Sequence, residues 1–187
     1  MRIVAGAWRG RTLLAPPGQV TRPTSDRARQ ALFDMLMHAA WGGRPVIEGT
    51  IVLDVFAGTG ALGLEALSRG ASSAVFIESD TTALRALRTN IAACGAQDRS
   101  HILAGDVLGL SRSPDLKPAS LVFLDPPYGK DLVPRALARL HGAGCVAADA
   151  LVIAETGREE VWVPEQPLLA ERQYGAARIL IFRRADQ

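Results

Sequence analysis

Short runs of apolar residues recur along the chain, separated by stretches in which apolar positions return every three or four residues. The runs near 51–56, 73–78, 101–105, 120–124 and 150–155 have the length and β-branched content of buried strands. Between them, the spacing near 60–69, 81–93 and 131–141 predicts helices. Strands alternating with helices in this way form a parallel sheet covered on both faces, an α/β fold. The C-terminal end differs. Residues 168–174 and 177–183 flank Gly175 as a hairpin, which sets antiparallel strands into a mostly parallel, seven-stranded sheet.

The N-terminal end predicts an extension. Residues 2–6 and 11–15 have the pattern of a small β-hairpin across 7–10, ended by Pro16-Pro17-Gly18. Ser25 is the N-cap expected for a helix in which Ala28, Ala31, Leu32, Met35, Leu36 and Ala39 recur at helical spacing until Gly42-Gly43. Residues 1–43 are thus expected as a hairpin and helix added to a core at 44–187. With 187 residues and 48% apolar content, the whole reads as one domain.

Composition narrows the class. No uncharged run approaches the roughly 18 apolar residues of a membrane span, and residues 1–10 contain no hydrophobic signal core, so a cytoplasmic, membrane-free protein is expected. Cys94 and Cys145 stand alone, and His38, His101 and His141 are scattered. The expectation is two reduced, packed thiols and no metal.

Charge is uneven. Arg2, Arg9, Arg11, Arg22, Arg27 and Arg29 face a single acid, Asp26, within residues 1–29, a balance of +5 against −3 in the rest. Such an arm suits a phosphate backbone, and these six arginines are the candidate RNA contacts. The plainer reading is a solvated arginine surface in a chain whose lysines are Lys117 and Lys130 alone. Trp8, interleaved with the arm, reads as a packing residue.

The most telling chemistry is Asp125-Pro126-Pro127-Tyr128, at the end of the run Leu121-Val122-Phe123-Leu124. The exocyclic amine of a base is a poor nucleophile because its lone pair is delocalised into the ring. A carboxylate that accepts one amine hydrogen favours a localised lone pair. Asp125 suits that role, and the Pro126 carbonyl can take the second hydrogen. Pro126 and Pro127 fix φ and offer no competing N–H. Tyr128 supplies a flat face for a base taken out of its stack. A turn after a strand with a half-buried aromatic would produce the same four residues, so the assignment leans on what lies upstream.

Upstream, Ile51-Val52-Leu53-Asp54-Val55-Phe56 runs into Ala57-Gly58-Thr59-Gly60-Ala61-Leu62-Gly63 and a helix: a strand, a glycine turn and a helix N-terminus, where a nucleotide-like cofactor can lie close to the backbone. Gly58, Gly60 and Gly63 satisfy G-x-G-x-x-G, and Glu78 follows about 20 residues after the first glycine, so an NAD-dependent oxidoreductase must be weighed. Asp54 argues otherwise. Four residues before the first glycine it would oppose a pyrophosphate but attract an ammonium or sulfonium, which favours S-adenosylmethionine. Glu78, closing its own apolar run, is placed to hold ribose hydroxyls, and Asp106 with the Val107 backbone to frame an adenine.

In this order, Asp54-Val-Phe-Ala-Gly-Thr-Gly, Glu78, Gly105-Asp106 and Asp125-Pro-Pro-Tyr resemble the motifs of Rossmann-like S-adenosylmethionine-dependent amino-methyltransferases. The N-terminal Val4-Ala5-Gly6-Ala7-Trp8-Arg9-Gly10-Arg11, Arg22-Pro23-Thr24 and Asp26-Arg27-Ala28-Arg29-Gln30-Ala31-Leu32-Phe33-Asp34 make the chain similar to the RsmD family, which methylates the N2 of a guanine in bacterial 16S ribosomal RNA. Gln30 stands where the family usually carries Glu, and Asp34 where Asn is common. The resemblance implies that S-adenosylmethionine is held by Asp54, Phe56, Gly58, Gly60, Glu78, Ser79, Asp106, Val107 and Asp125. It implies 16S ribosomal RNA within the assembled small subunit as the partner, and a monomeric enzyme. Adenine-N6 methylation of RNA or DNA, methylation of a protein glutamine, a non-catalytic RNA-binding module and the NAD oxidoreductase remain as alternatives.

Overall fold

The computed structural model describes residues 1–15, 26–111, 116–127 and 131–184. Seven strands form one sheet: β1 (Ile51–Val55), β2 (Ser73–Glu78), β3 (Ser100–Ala104), β4 (Ala119–Leu124), β5 (Val146–Gly157), β6 (Leu168–Tyr174) and β7 (Ala177–Arg183). Their order is β3-β2-β1-β4-β5-β7-β6. The first five run parallel, while β7 pairs antiparallel to both β5 and β6. This is the expected seven-stranded α/β sheet with a C-terminal antiparallel hairpin, its turn at Gly175 with φ 63°.

The helices α1 (Asp26–His38), α2 (Ala61–Ser68) and α3 (Thr81–Cys94) cover one face. Leu32, Phe33, Leu64, Leu67, Leu87 and Ile91 pack there against Val52, Phe76, Phe123 and Ile153. On the other face, α4 (Leu132–Gly142) sets Val133, Ala136 and Leu140 against Leu53, Val122 and Val152. The alternation of side chains along each strand produces this division. Local signals end the helices. Asp80 caps α3 by accepting the Ala83 N–H at 2.7 Å, worth about 1 kcal/mol, and Gly95 closes it in the left-handed region at φ 63°. No helix among the described residues is long and apolar enough to cross a membrane.

Two expectations change. The N-terminal hairpin is shorter than expected: its arms pair antiparallel at Arg2 and Thr12, the Ile3 and Leu13 N–H groups donating across it to the Arg11 and Met1 carbonyls at 2.9 Å each, and Gly6–Trp8 form a 3₁₀ turn. Three backbone donors nearer its tip go to helix α2. Glu65, fully buried, accepts the N–H groups of Val4 at 2.8 Å and Ala5 at 3.0 Å, and the Ser68 hydroxyl accepts that of Trp8 at 3.0 Å. The fifth strand is longer than its apolar run, because Val146 continues the pairing to Ala119 across a register shift. Ser25 lies outside the described residues, as do Pro16-Pro17-Gly18. Cys94 and Cys145 are buried free thiols, and burial pushes both thiol pKa values up.

Candidate active site

The carboxyl end of β1 feeds a tight turn. Phe56 adopts φ 62°, a conformation rarely taken by a residue with a side chain, and Gly58 and Gly60 follow at φ 54° and 79°. Two glycines are fixed by space as much as by conformation. A Cβ on Gly60 would lie 2.4 Å from Leu87 Cδ1, and one on Gly63 would lie 2.4 Å from Phe76 Cε1. Helix α2 therefore seats directly on the sheet, with its N-terminus at the turn. Asp54, buried on the same face, accepts the Gly63 N–H at 2.8 Å through Oδ2.

Glu78 ends β2 beside this turn. Its Oε2 accepts the Gly58 N–H at 2.7 Å, and its Oε1 those of Ser79 and Asp80, each at 2.7 Å. The carboxylate is thus held at the sheet edge in one orientation. Beyond β3, Asp106 caps a short 3₁₀ turn by accepting the Leu108 N–H at 3.0 Å, while the Val107 side chain is buried. The structure brings Asp54, Phe56, Gly58, Gly60, Glu78 and Ser79 together at the carboxyl ends of β1 and β2. Asp106 and Val107 stand at the end of the neighbouring strand β3.

Asp125 follows β4, its N–H directed at the Val55 carbonyl at 3.4 Å. It lies two residues beyond Phe123, on the face covered by α1 and α2. It lines a small pocket with Leu32, Leu62, Leu124, Ile153, Glu155 and Ile179. Pro126 is buried and Pro127 exposed; Tyr128 lies outside the described residues.

Glu155 is absent from the sequence-derived site. Leu124 is the register partner of Ala154, so Asp125 and Glu155 are the next residues on neighbouring parallel strands. The available signal was that Glu155 closes the run 150–154 much as Asp125 closes 121–124.

Desolvation raises the Asp54 carboxyl to about 7, with the charge of Glu78 adding to the rise and the Gly63 N–H opposing it. Desolvation also pushes Asp125 up to about 8, and the charges of Glu155 and Asp54 push the same way. Carboxylates held together against their mutual repulsion favour a cation among them. A pyrophosphate would add to the repulsion. A ligand with a sulfonium and an ammonium relieves it, and Glu78 beside the glycine turn suits the ribose of the same ligand.

The arginine arm divides. Arg2, Arg9, Arg11 and Arg27 are exposed, although Arg11 already donates to the Ala93 carbonyl. Arg22 lies outside the described residues. Arg29 is not a surface contact: it is 1% exposed, with Nη2 2.9 Å from Asp26 and Nε 3.8 Å from the buried Glu65. It lies on the stripe formed with Leu32, Phe33 and Leu36, facing the core. Trp8 packs against the core, with the Arg99 guanidinium over its ring at 5.1 Å. Asp34 stands 3.9 Å from Arg69, and Gln30 is exposed.

A Rossmann-like sheet with this turn, and with a carboxylate facing a pocket beyond β4, places the protein in the class of S-adenosylmethionine-dependent methyltransferases. The family model described as Conserved hypothetical protein 95 matches residues 1–183. Ribosomal RNA small subunit methyltransferase D of Escherichia coli strain K12 is 38% identical over 156 residues, 83% of this chain and 74% of that protein. The protein of the same name from Haemophilus influenzae is 35% identical over 179 residues, 94% of this chain and 89% of that one. The solved structure of yhhF from Escherichia coli superposes with a TM-score of 0.82 at 35% identity, covering 100% of this chain and 99% of the other. The chain belongs to this family, the RsmD-type ribosomal RNA methyltransferases.

Proposed function

We propose that the protein transfers a methyl group from S-adenosylmethionine to the exocyclic N2 of a guanine in 16S ribosomal RNA. The observation that carries this reading is Asp125: a carboxylate at the end of β4, beside the glycine turn, that lines a small, mostly apolar pocket. The name shared by the relatives from Escherichia coli and Haemophilus influenzae supports ribosomal RNA of the small subunit as the substrate.

S-adenosylmethionine supplies an electrophilic methyl carbon on a cationic sulfur. Asp54 holds the turn closed through Gly63 and lends negative charge to the methionyl side. Phe56, Gly58, Gly60, Glu78 and Ser79 line the ribose and amino-acid portions, and Asp106 with the Val107 backbone lines the adenine. Asp125 accepts one hydrogen of the guanine amine and the Pro126 carbonyl the other, which turns the lone pair toward the methyl carbon. With S-adenosylmethionine bound, the new N–C bond would form as the C–S bond breaks, the bonding pair leaving with sulfur. Asp125 stabilises the charge developing on nitrogen and takes its proton. Most of the rate enhancement then comes from alignment, which can supply about 7–11 kcal/mol. Pro126 and Pro127 fix the backbone after Asp125, and the sequence motif assigns Tyr128 the stacking role.

The exposed arginines Arg2, Arg9, Arg11 and Arg27 contact the RNA, and the sequence assigns Arg22 the same role. Residues 1–43 and 44–187 act as one domain, and the protein works as a cytoplasmic monomer on the assembled small subunit. Nucleoside mass spectrometry of 16S ribosomal RNA from cells with and without the gene tests the reading. Loss of N2-methylguanosine in the deletion is the expected result, and an unchanged nucleoside profile overturns it.

A further inference from the structure

Asp125 accounts for one acceptor in the small pocket beyond β4, yet a second carboxylate that the transfer chemistry does not require lines the same pocket. Glu155 sits on β5 one position past the register pair Leu124 and Ala154, next to Asp125 on the neighbouring strand. Parallel neighbours run about 4.8 Å apart, so the two side chains leave the sheet as adjacent acceptors. Each lies two residues beyond a residue of the same buried cluster, Phe123 for Asp125 and Ile153 for Glu155, which puts both on one face. Leu32 and Leu62 approach from the covering helices, and Ile179, the β7 partner of Glu155, closes the side. Among the described residues that line it, the pocket is therefore apolar except for two acceptors on neighbouring strands.

That pattern distinguishes purines. Guanine presents two donors next to each other on its Watson–Crick edge, the N2 amine and the N1–H. Adenine presents one amine beside N1, which carries a lone pair. We propose that Glu155 accepts the guanine N1–H while Asp125 engages the N2 amine, so that Glu155 is the residue selecting guanine over adenine. The inference rests on guanine N2 being the methylated atom. An acceptor that the bound base shields from water and that is left facing a lone pair rejects the wrong base far more strongly than an apolar wall would.

The test uses small subunits reconstituted with 16S ribosomal RNA that carries guanosine or 2-aminopurine riboside at the methylated position. 2-Aminopurine keeps the 2-amine but lacks the N1–H. Wild-type enzyme is expected to prefer guanosine by about 100-fold in kcat/KM. Glu155→Gln is expected to lose about 30-fold on guanosine and to shrink the preference below about tenfold, because its amide can donate to N1 of 2-aminopurine. Glu155→Asp, which keeps the charge, retains most of the preference. The change in preference between enzymes cancels the differing reactivity of the two amines. Calorimetry with S-adenosylmethionine, unchanged within about twofold in both variants, separates base selection from damage to the fold. A preference of similar size in Glu155→Gln, or wild-type tolerance of 2-aminopurine, overturns the role of Glu155. A wild-type enzyme that forms no N2-methylguanosine on the guanosine subunit overturns the guanine reading, and the inference with it.

Discussion

The buried carboxylate of Asp54 accepts the backbone N–H of Gly63 at 2.8 Å, which joins the end of β1 to the first turn of α2 across the glycine loop. The contact leaves no room for a side chain at position 63, where a Cβ would lie 3.1 Å from Asp54 Oδ2 and 2.4 Å from the Phe76 ring. Gly63→Ala is therefore expected to destabilise the protein by about 1–3 kcal/mol and to weaken S-adenosylmethionine binding as the loop shifts. Asp54→Asn keeps an acceptor for the Gly63 N–H but removes the charge. It is expected to leave stability nearly intact while weakening the cofactor about tenfold or more, the scale of one partly screened charge contact. Denaturant titration and calorimetry on both variants decide it. Wild-type affinity in Asp54→Asn would show that its charge does not serve the cofactor.

Asp125 carries a separable task. Asp125→Asn preserves the shape of the side chain but cannot accept the amine proton, so turnover is expected to fall by about 10²–10⁴-fold, the range for a positioned general base. Cofactor affinity is expected to stay within a few-fold, since the residue faces the pocket lined by Leu32, Leu62 and Ile179. A tritiated-methyl assay beside calorimetry reads both quantities. Retained turnover would remove Asp125 from the proton path.

Much of this arrangement was legible in the sequence because strands and turns announce themselves locally. The runs that became Ser73–Glu78 and Ile51–Val55, the glycine turn and the hairpin about Gly175 each follow from residues close in sequence. What was hidden depends on partners far along the chain. The N-terminal hairpin is shortened because Glu65 and Ser68, about 60 residues on, take the Val4, Ala5 and Trp8 donors. Arg29 counted toward a basic arm because charge totals carry no direction, although its spacing to Leu32, Phe33 and Leu36 placed it on the inward stripe. Glu155 closes a local apolar run, but its place beside Asp125 comes from the β4–β5 register, which no local pattern encodes.

The raised carboxyl pKa values predict an unusual pH dependence. Asp54 and Asp125 bind protons up to about 7 and about 8 in the folded protein, against 3.8 for the ordinary side chain. Between those limits the native state holds more protons than the unfolded state, so stability is greatest below about pH 4 for these groups and is lost as pH rises toward 8. Ionisation should at the same time strengthen the attraction for a sulfonium. The free protein is expected to lose Tm between pH 5 and 8 beyond what Asp125→Asn loses, while S-adenosylmethionine affinity rises over the same interval. Calorimetric scans with and without cofactor check both signs. Parallel Tm curves for wild type and Asp125→Asn would mean that burial does not hold the proton on Asp125.

Arginines of the N-terminal region separate into one that folds the protein and others that face outward. Arg29 bridges Asp26 and Glu65 and donates to the Arg2 carbonyl, so Arg29→Ala strips a buried carboxylate of a cationic neighbour and is expected to cost on the order of 3 kcal/mol. Arg9 and Arg27 are exposed, so their removal should leave stability within about 0.5 kcal/mol. An arginine that no longer neutralises a phosphate flattens the dependence of log affinity on log salt by about 0.7 to 0.9. The Arg9→Ala, Arg27→Ala double variant is therefore expected to bind S-adenosylmethionine normally, to bind small subunits more weakly at moderate salt, and to show a slope shallower by about one to two units. Arg29→Ala, in the folded fraction, should keep the wild-type slope. Subunit binding measured across a salt series distinguishes the two: an unchanged slope in the double variant would take RNA binding away from this face, and a flattened slope in Arg29→Ala would contradict its buried, structural role.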